Sequence, residues 1–302
     1  MEQVPGDPQG PAGQDRGAAP SLPSCYRHPG RETGIRCTRC ERPICTECMV
    51  SASVGFQCPD CVRQGSGTGH APTANRPRTL AGGSIAADPR LLTKILIGIN
   101  IAVFIAVQVR GQALVDQIAL LGQARLPSGS LGGVAQGEWY RLLTSMFTHQ
   151  AVAHIAFNML SLWWLGGPLE AALGRLRYIT LYMVSGLAGG ALAYLLAAQN
   201  VETVGASGAI YGLFGAMAVV MRRLNQDLRP IVALLAINLF ITFAWSGISW
   251  QAHVGGLVSG LVMGYAMVHA PRRHRALIQY GTCAVVLLVV VVLTVIRTVQ
   301  LS

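Results

Sequence analysis

From Lys94 onward the chain carries apolar runs of helical length, separated by short polar or arginine-bearing breaks. A bilayer crossing needs about 20 mostly apolar residues. Inside lipid a segment must satisfy its own backbone N–H and C=O groups, so such runs become helices. Seven runs meet this description, near 94–110, 149–169, 177–198, 205–221, 230–246, 251–269 and 277–296. The first is marginal, with about 16 residues between Lys94 and Arg110 against the usual 20. The fold class expected is therefore an all-α polytopic membrane protein with seven transmembrane helices. Composition agrees: 52% of the 302 residues are hydrophobic and only 12% charged, against roughly 25% charged for soluble domains. That excludes a soluble globular protein. Residues 111–148, too polar to span and too apolar for a free loop, are expected to lie partly in the membrane interface.

The rest of the chain divides by composition. Residues 1–24 are rich in Pro, Gly, Gln and Ala and read as a disordered tail. They lack the basic and apolar regions of a signal peptide, so the N-terminus is expected to stay in the cytoplasm. A cysteine-rich segment fills 25–61, and 62–93 returns to Gly, Pro, Ser and Thr as a flexible linker. Residues 1–93 hold 10 Arg against 8 acids, whereas 94–302 hold 13 Lys plus Arg against 5 acids. The basic excess falls in short clusters between apolar runs, the pattern of cytoplasmic loops rather than of a nucleic-acid surface. Arg175, Arg177, Arg222, Arg223, Arg229, Arg272, Arg273 and Arg275 lie in breaks on one side, while 199–204 and 247–250 carry neither Lys nor Arg. This asymmetry predicts a cytoplasmic N-terminus and an external C-terminus. Abundant Ala, Gly and Arg with a single Lys suggest a prokaryotic plasma membrane.

Polar side chains within spans are costly and mark functional candidates. Ser207 in GASGAIYG and His253 in QAHVGGLVSG each lie about three residues into spans that run outside to inside, at matched depth near the outer surface. His154 and Asn158, at i and i+4 in HQAVAHIAFN, share a helix face in a span of the same direction. A serine hydroxyl becomes a nucleophile when an imidazole takes its proton, so Ser207 and His253 are read as nucleophile and base. With no acid in the spans, the pair is a dyad. Tyr211, one turn after Ser207, is placed to pack on the imidazole. His154, Asn158 and the Ser207 N–H are candidate oxyanion donors. Small residues Gly205, Gly208, Gly256 and Gly260 permit close helix approach. His149 reads as structural, His269 and His274 lie at the wrong depth, and Cys283 is an apolar filler.

These motifs, with EWYRLLTSMFTHQAVAHIAFN and GGPLEAALG between them, resemble the rhomboid family of intramembrane serine proteases over about 94–275. The resemblance implies a six-helix core over 94–275, followed by a seventh helix and tail at 276–302. It further implies that Ser207 is the nucleophile, His253 the base, Tyr211 a stacking partner, and His154 and Asn158 oxyanion groups. Arg141 and Glu170 match positions that are structural in the family. Trp139-Tyr140-Arg141 is one residue wider than the family's usual WR pair. No cofactor is implied for catalysis. The expected function is a serine endopeptidase cutting single-span membrane proteins near the outer surface. The rival reading is a catalytically silent rhomboid-like protein that binds transmembrane helices.

In the N-terminal segment, four pairs share one spacing: Cys25 and His28, Cys37 and Cys40, Cys45 and Cys48, Cys58 and Cys61. In a reducing cytoplasm such pairs favour metal over disulfides. Eight soft ligands suit two structural zinc ions in tetrahedral sites. The segment resembles a B-box-type or related cross-brace zinc finger, which implies Cys25, His28, Cys45 and Cys48 at one ion and Cys37, Cys40, Cys58 and Cys61 at the other. A sequential pairing is the alternative. Without a basic stripe, the expected partner of this segment is a cytoplasmic protein rather than nucleic acid.

Overall fold

The computed structural model describes residues 22–52, 54–64, 78–125, 129–244 and 247–301. The chain divides into two units, Met1–Arg76 and Pro77–Ser302. Residues 1–21 of the expected tail and 65–77 of the expected linker lie outside the described residues.

The first unit is built around two antiparallel pairs, β1 (Ser24–Cys25) with β2 (His28–Glu32) and β3 (Val50–Ser51) with β4 (Phe56–Gln57). A single turn of helix, α1 (Pro59–Arg63), closes it. Ser24, at the end of the expected tail, already belongs to a strand, because it pairs with Glu32. Ile44 is the fully buried apolar side chain at the centre, with Tyr26, Ile35, Met49 and Phe56 packed around it. Such a core is too small to offset the ordering entropy of the segment, so its folding has to draw on another source.

The second unit is helical. After α2 (Leu91–Arg110) and the short α3 (Gln112–Ile118), a hairpin of β5 (Ala124–Arg125) and β6 (Leu131–Gly132) leads to α4 (Arg141–Thr144). Six long helices follow: α5 (Val152–Leu173), α6 (Arg175–Leu196), α7 (Ser207–Arg223), α8 (Arg229–Ala244), α9 (Trp250–His269) and α10 (Arg275–Leu301). With α2 they fall on the seven apolar runs. The first is longer than expected, because Leu91, Leu92 and Thr93 add nearly a turn before Lys94.

By length and apolarity alone, four described segments suffice to cross a membrane: Leu91–Arg110, Arg175–Leu196, Trp250–His269 and Arg272–Leu301. The other three runs fall short for separate reasons. In α5 the polar His154, Asn158 and Glu170 dilute the apolar residues. The α7 and α8 helices have 17 and 16 residues. Large apolar side chains nevertheless cover the outer faces, among them Ile105 on α2, Phe157 and Trp164 on α5, and Phe240 on α8. An outward apolar surface of this extent is what lipid, not water, selects.

The expected linker is corrected over its last part. Residues 78–90 do not form a free tether but a strap folded against the helices. Ala81 is fully buried; its N–H donates to Ala172 O at 3.2 Å, and its carbonyl accepts from Gln279 Nε2 at 3.0 Å. Gln279 also accepts from Arg177 Nε at 2.7 Å, so α10, α6 and the strap share one buried amide.

Glu170 supplies the cap that α2 lacks of its own. Its buried carboxylate accepts from Leu92 N at 3.0 Å, Thr93 N at 2.9 Å and Thr93 Oγ1 at 2.9 Å. These include donors that every helix start leaves unpaired. Glu170→Ala is expected to lower stability by about 1–3 kcal/mol, as buried N–H groups lose their acceptor. A detergent-resistant thermal unfolding midpoint that does not move in this variant would contradict the cap.

Candidate active site

Ser207 is the first residue of α7, and the chain reaches it through a constrained turn. Gly205 has φ of +120°, a region L side chains rarely adopt, and a Cβ there would sit 2.7 Å from two ring atoms of His154. The turn is fixed from the 111–148 region. Gly205 N–H donates to Ser145 O at 2.9 Å, and Leu120 and Thr203 exchange backbone bonds of 3.0 and 2.8 Å. That region is itself folded around Arg141, only 2% exposed. Its guanidinium donates to Glu138 Oε2 at 2.6 Å, Asp116 O at 2.7 Å and Ala119 O at 2.9 Å. Arg141 thus holds a loop that holds the turn before the serine.

His253 is the fourth residue of α9, whose start is capped by Ser249 accepting from Ala252 N. Its Nε2 lies 2.8 Å from Ser207 Oγ, hydrogen-bond distance between two helices. Close approach of α7 and α9 makes this possible. A methyl on Gly256 would overlap the carbonyl of Gly208, and one on Gly260 the carbonyl of Gly212. Gly256→Val is expected to push the helices apart, costing about 1–3 kcal/mol in overpacking. The reaction should suffer more, by about 100-fold, because an ångström of misplacement at the reacting atoms is enough for that. A variant that keeps wild-type turnover would show that the helix contact does not set the Ser207 to His253 distance.

Tyr211 lies against the imidazole, with ring centroids 4.0 Å apart and planes 10° apart. His253 is 5% exposed and Ser207 half-buried, so the pair is largely enclosed by the helices while the serine keeps some accessible surface. Asn158 is buried and His154 half-buried, both flanking the Gly205 turn. The first helical bond of α7 runs from Ile210 N–H to Ala206 O, which leaves the N–H groups of Ser207, Gly208 and Ala209 outside the helix ladder at this end.

Two residues of the site escaped the sequence reading. His149, taken as structural at the membrane boundary, is fully buried within the site. Its Nε2 accepts from Asn158 Nδ2 at 2.9 Å and from Ala206 N–H at 3.4 Å, tying the oxyanion candidate to the serine turn. Thr242 on α8 lies 2.8 Å from His253 Nδ1 and 3.2 Å from the Tyr211 hydroxyl. The only signal of Thr242 in the sequence is a hydroxyl within an apolar run, which is common in membrane helices. His269 stacks on Tyr265 near the opposite end of α9, and Cys283 is buried in α10, both apart from the site.

A rhomboid domain model matches residues 136–270. The chain is 34% identical over 147 residues to the putative rhomboid protease YdcA of Bacillus subtilis, covering 47% of this chain and 74% of YdcA. The chain belongs to the rhomboid family. It is 33% identical over 180 residues to the rhomboid protease GluP of Bacillus subtilis, covering 58% of this chain but 34% of GluP. To the rhomboid protease AarA of Providencia stuartii it is 29% identical over 168 residues, covering 46% of this chain and 59% of AarA. It thus spans a third of GluP and well over half of AarA. Among the described residues, long apolar helices, several of them with large apolar side chains exposed on their outer faces, make this rhomboid a multi-pass membrane protein with an additional Cys-rich unit at its N-terminal side.

In that unit the eight predicted ligands gather as two clusters, Cys25, His28, Cys45 and Cys48 in one and Cys37, Cys40, Cys58 and Cys61 in the other. The pairing is interleaved, and the sequential alternative is not what the chain adopts. In each cluster the ligand atoms lie within 4.8 Å of one another. His28 Nδ1 is 3.9, 3.3 and 3.4 Å from the sulfurs of Cys25, Cys45 and Cys48, and Cys40 Sγ is 3.7 Å from Cys58 Sγ. A tetrahedral ion with bonds of about 2.3 Å to sulfur spaces its ligands by about 3.8 Å. All eight thiols of the chain are free. Burial opposes ionising Cys25 and Cys37, yet backbone N–H groups at their sulfurs outweigh it and pull both down to about 6. Burial and neighbouring thiols push Cys48 up to about 11 and Cys61 up to about 12. The two sets of residues therefore fit a metal ion each.

Proposed function

We propose that this rhomboid is an intramembrane serine endopeptidase that cleaves single-span membrane proteins near the outer surface through Ser207 and His253. The 2.8 Å approach of His253 Nε2 to Ser207 Oγ carries the reading. As Ser207 Oγ attacks the scissile carbonyl, its proton passes to Nε2, and the new C–O bond leaves a tetrahedral oxyanion. Asn158, His154 and the N–H groups opening α7 are the donors available to it. The imidazolium then returns the proton to the leaving amine as the C–N bond breaks. Water, deprotonated by the same imidazole, hydrolyses the acyl-enzyme and restores Ser207. Tyr211 keeps the imidazole plane fixed through both proton transfers.

Substrate helices have to open before cleavage, since an intact helix keeps its carbonyls in hydrogen bonds. Gly, Pro or polar residues near the cut, and a small side chain before it, lower that cost. The arginine distribution supports a cytoplasmic N-terminus and an external C-terminus, and the abundance of Ala, Gly and Arg with a single Lys supports a prokaryotic plasma membrane. Soft thiolate and imidazole ligands at near-tetrahedral spacing support zinc as the metal of both clusters, in a structural role. Residues 25–61 then form the zinc-binding domain, whose expected partner is a cytoplasmic protein. The rhomboid core over 94–275 carries the protease, and the seventh helix follows at 276–302.

Purified protein in proteoliposomes with a single-span substrate tests the function. Cleavage within the outer part of the span supports it. An intact substrate, co-purifying with a Ser207 that no fluorophosphonate labels, would instead make the protein a binder of transmembrane helices.

A further inference from the structure

Thr242 lies in the last turn of α8, 4% exposed, with three polar atoms around one hydroxyl. Oγ1 is 2.8 Å from Asn238 O, 2.8 Å from His253 Nδ1 and 3.2 Å from the Tyr211 hydroxyl. A hydroxyl has one proton and two lone pairs. The Asn238 carbonyl can only accept, so the Thr242 proton goes there. Both remaining contacts must then donate to Thr242, His253 through Nδ1–H and Tyr211 through O–H. A neutral imidazole carries one N–H. With that hydrogen on Nδ1, the free lone pair is on Nε2, the nitrogen 2.8 Å from Ser207 Oγ.

We propose that Thr242 is the positioning residue of the Ser207–His253 pair, selecting the His253 tautomer that can take the serine proton. The inference rests on the proposed protease function. In soluble serine hydrolases a carboxylate commonly does this work. Within a span a charged carboxylate is costly, whereas a threonine whose proton is committed to its own helix offers a neutral acceptor. The same oxygen holds Tyr211, so the ring that stacks on His253 and the imidazole itself are referenced to one atom. When the imidazole becomes charged, its Nδ1–H remains bonded to Thr242 and the ring does not turn away from the leaving amine.

The test uses the full chain, labelled with ¹⁵N-histidine in nanodiscs, together with cleavage kinetics on a single-span substrate. The His253 resonances are assigned by their loss in His253→Ala. Wild type is expected to show Nδ1 protonated and Nε2 unprotonated at neutral pH. Thr242→Val, equal in shape but without the hydroxyl, is expected to show mixed tautomers. Its kcat should fall about 10- to 100-fold, less than the loss of a general base, with KM nearly unchanged. Thr242→Ser should recover most of the loss. A wild-type spectrum with Nε2 protonated overturns the proposal whether or not the valine variant folds. So does Thr242→Val with wild-type kcat and tautomer while Ser207→Ala is silent. Should Ser207→Ala cleave as wild type does, the protease reading fails with it.

Discussion

Ser207→Ala and His253→Ala are each expected to reduce cleavage of a single-span substrate by at least about 1,000-fold, and the double variant is expected to be no worse than either alone. The non-additivity follows from the geometry. At 2.8 Å the serine oxygen and the imidazole are one proton-transfer unit, and the loss of either leaves the other without a task. Neither substitution removes a residue that holds the fold together. Ser207 is half-buried at a helix start, and the glycine contacts of α7 and α9 lie further along both helices. Helix content should therefore match wild type in both variants, and the thermal midpoint in Ser207→Ala, while His253→Ala, which empties a buried site, is expected to keep the fold with a somewhat lower midpoint. Additive losses in the double variant would mean that the two side chains act independently.

Removal of metal from the full chain is expected to unfold residues 22–64 while the helices of the second unit keep their structure. Structural zinc in small modules supplies an apparent 10–16 kcal/mol of folding free energy, by order of magnitude about what such a unit lacks. Here the apolar core is little more than Ile44 and four partly buried neighbours. Limited tryptic digestion reads the result, since Arg27, Arg31, Arg36, Arg39 and Arg63 lie within this unit and none precedes a proline. Chelation should expose these sites, with metal analysis showing two ions released per chain and circular dichroism of the helices unchanged. Continued protection after both clusters have lost their ions would show that the unit folds without them.

The helices were legible because lipid imposes one rule on every span, so that apolar length alone located all seven within a few residues. The serine and histidine were legible because polar groups stand out against an apolar background. Matched depth then required only counting from the start of spans that run in the same direction. His149 and Thr242 were not legible for the converse reason. Each does its work across helices, through a lone pair aimed at a partner many residues away, and neither its type nor its local spacing records that direction. Thr242 is also 11 residues from His253 on a different helix. The strap at 78–90 was misread because Gly, Pro and Ser suggest freedom, whereas Ala81 is small enough to be buried between α5 and α10. Metal pairing was open from spacing alone, as four identical pairs can combine in more than one way. Backbone bonds between distant segments decide it: Tyr26 N–H to Pro43 O draws the first pair to the third, and Thr38 N–H to Phe56 O draws the second to the fourth.

The central claim is that Ser207 is a nucleophile made reactive by His253, and covalent trapping tests it most directly. Full-length protein in proteoliposomes is treated with a fluorophosphonate, digested, and the modified residue located by mass spectrometry. The expected result is a single adduct on Ser207 that forms in wild type and is lost in His253→Ala. An adduct elsewhere, no adduct at all, or equal labelling of Ser207 without His253 would contradict it.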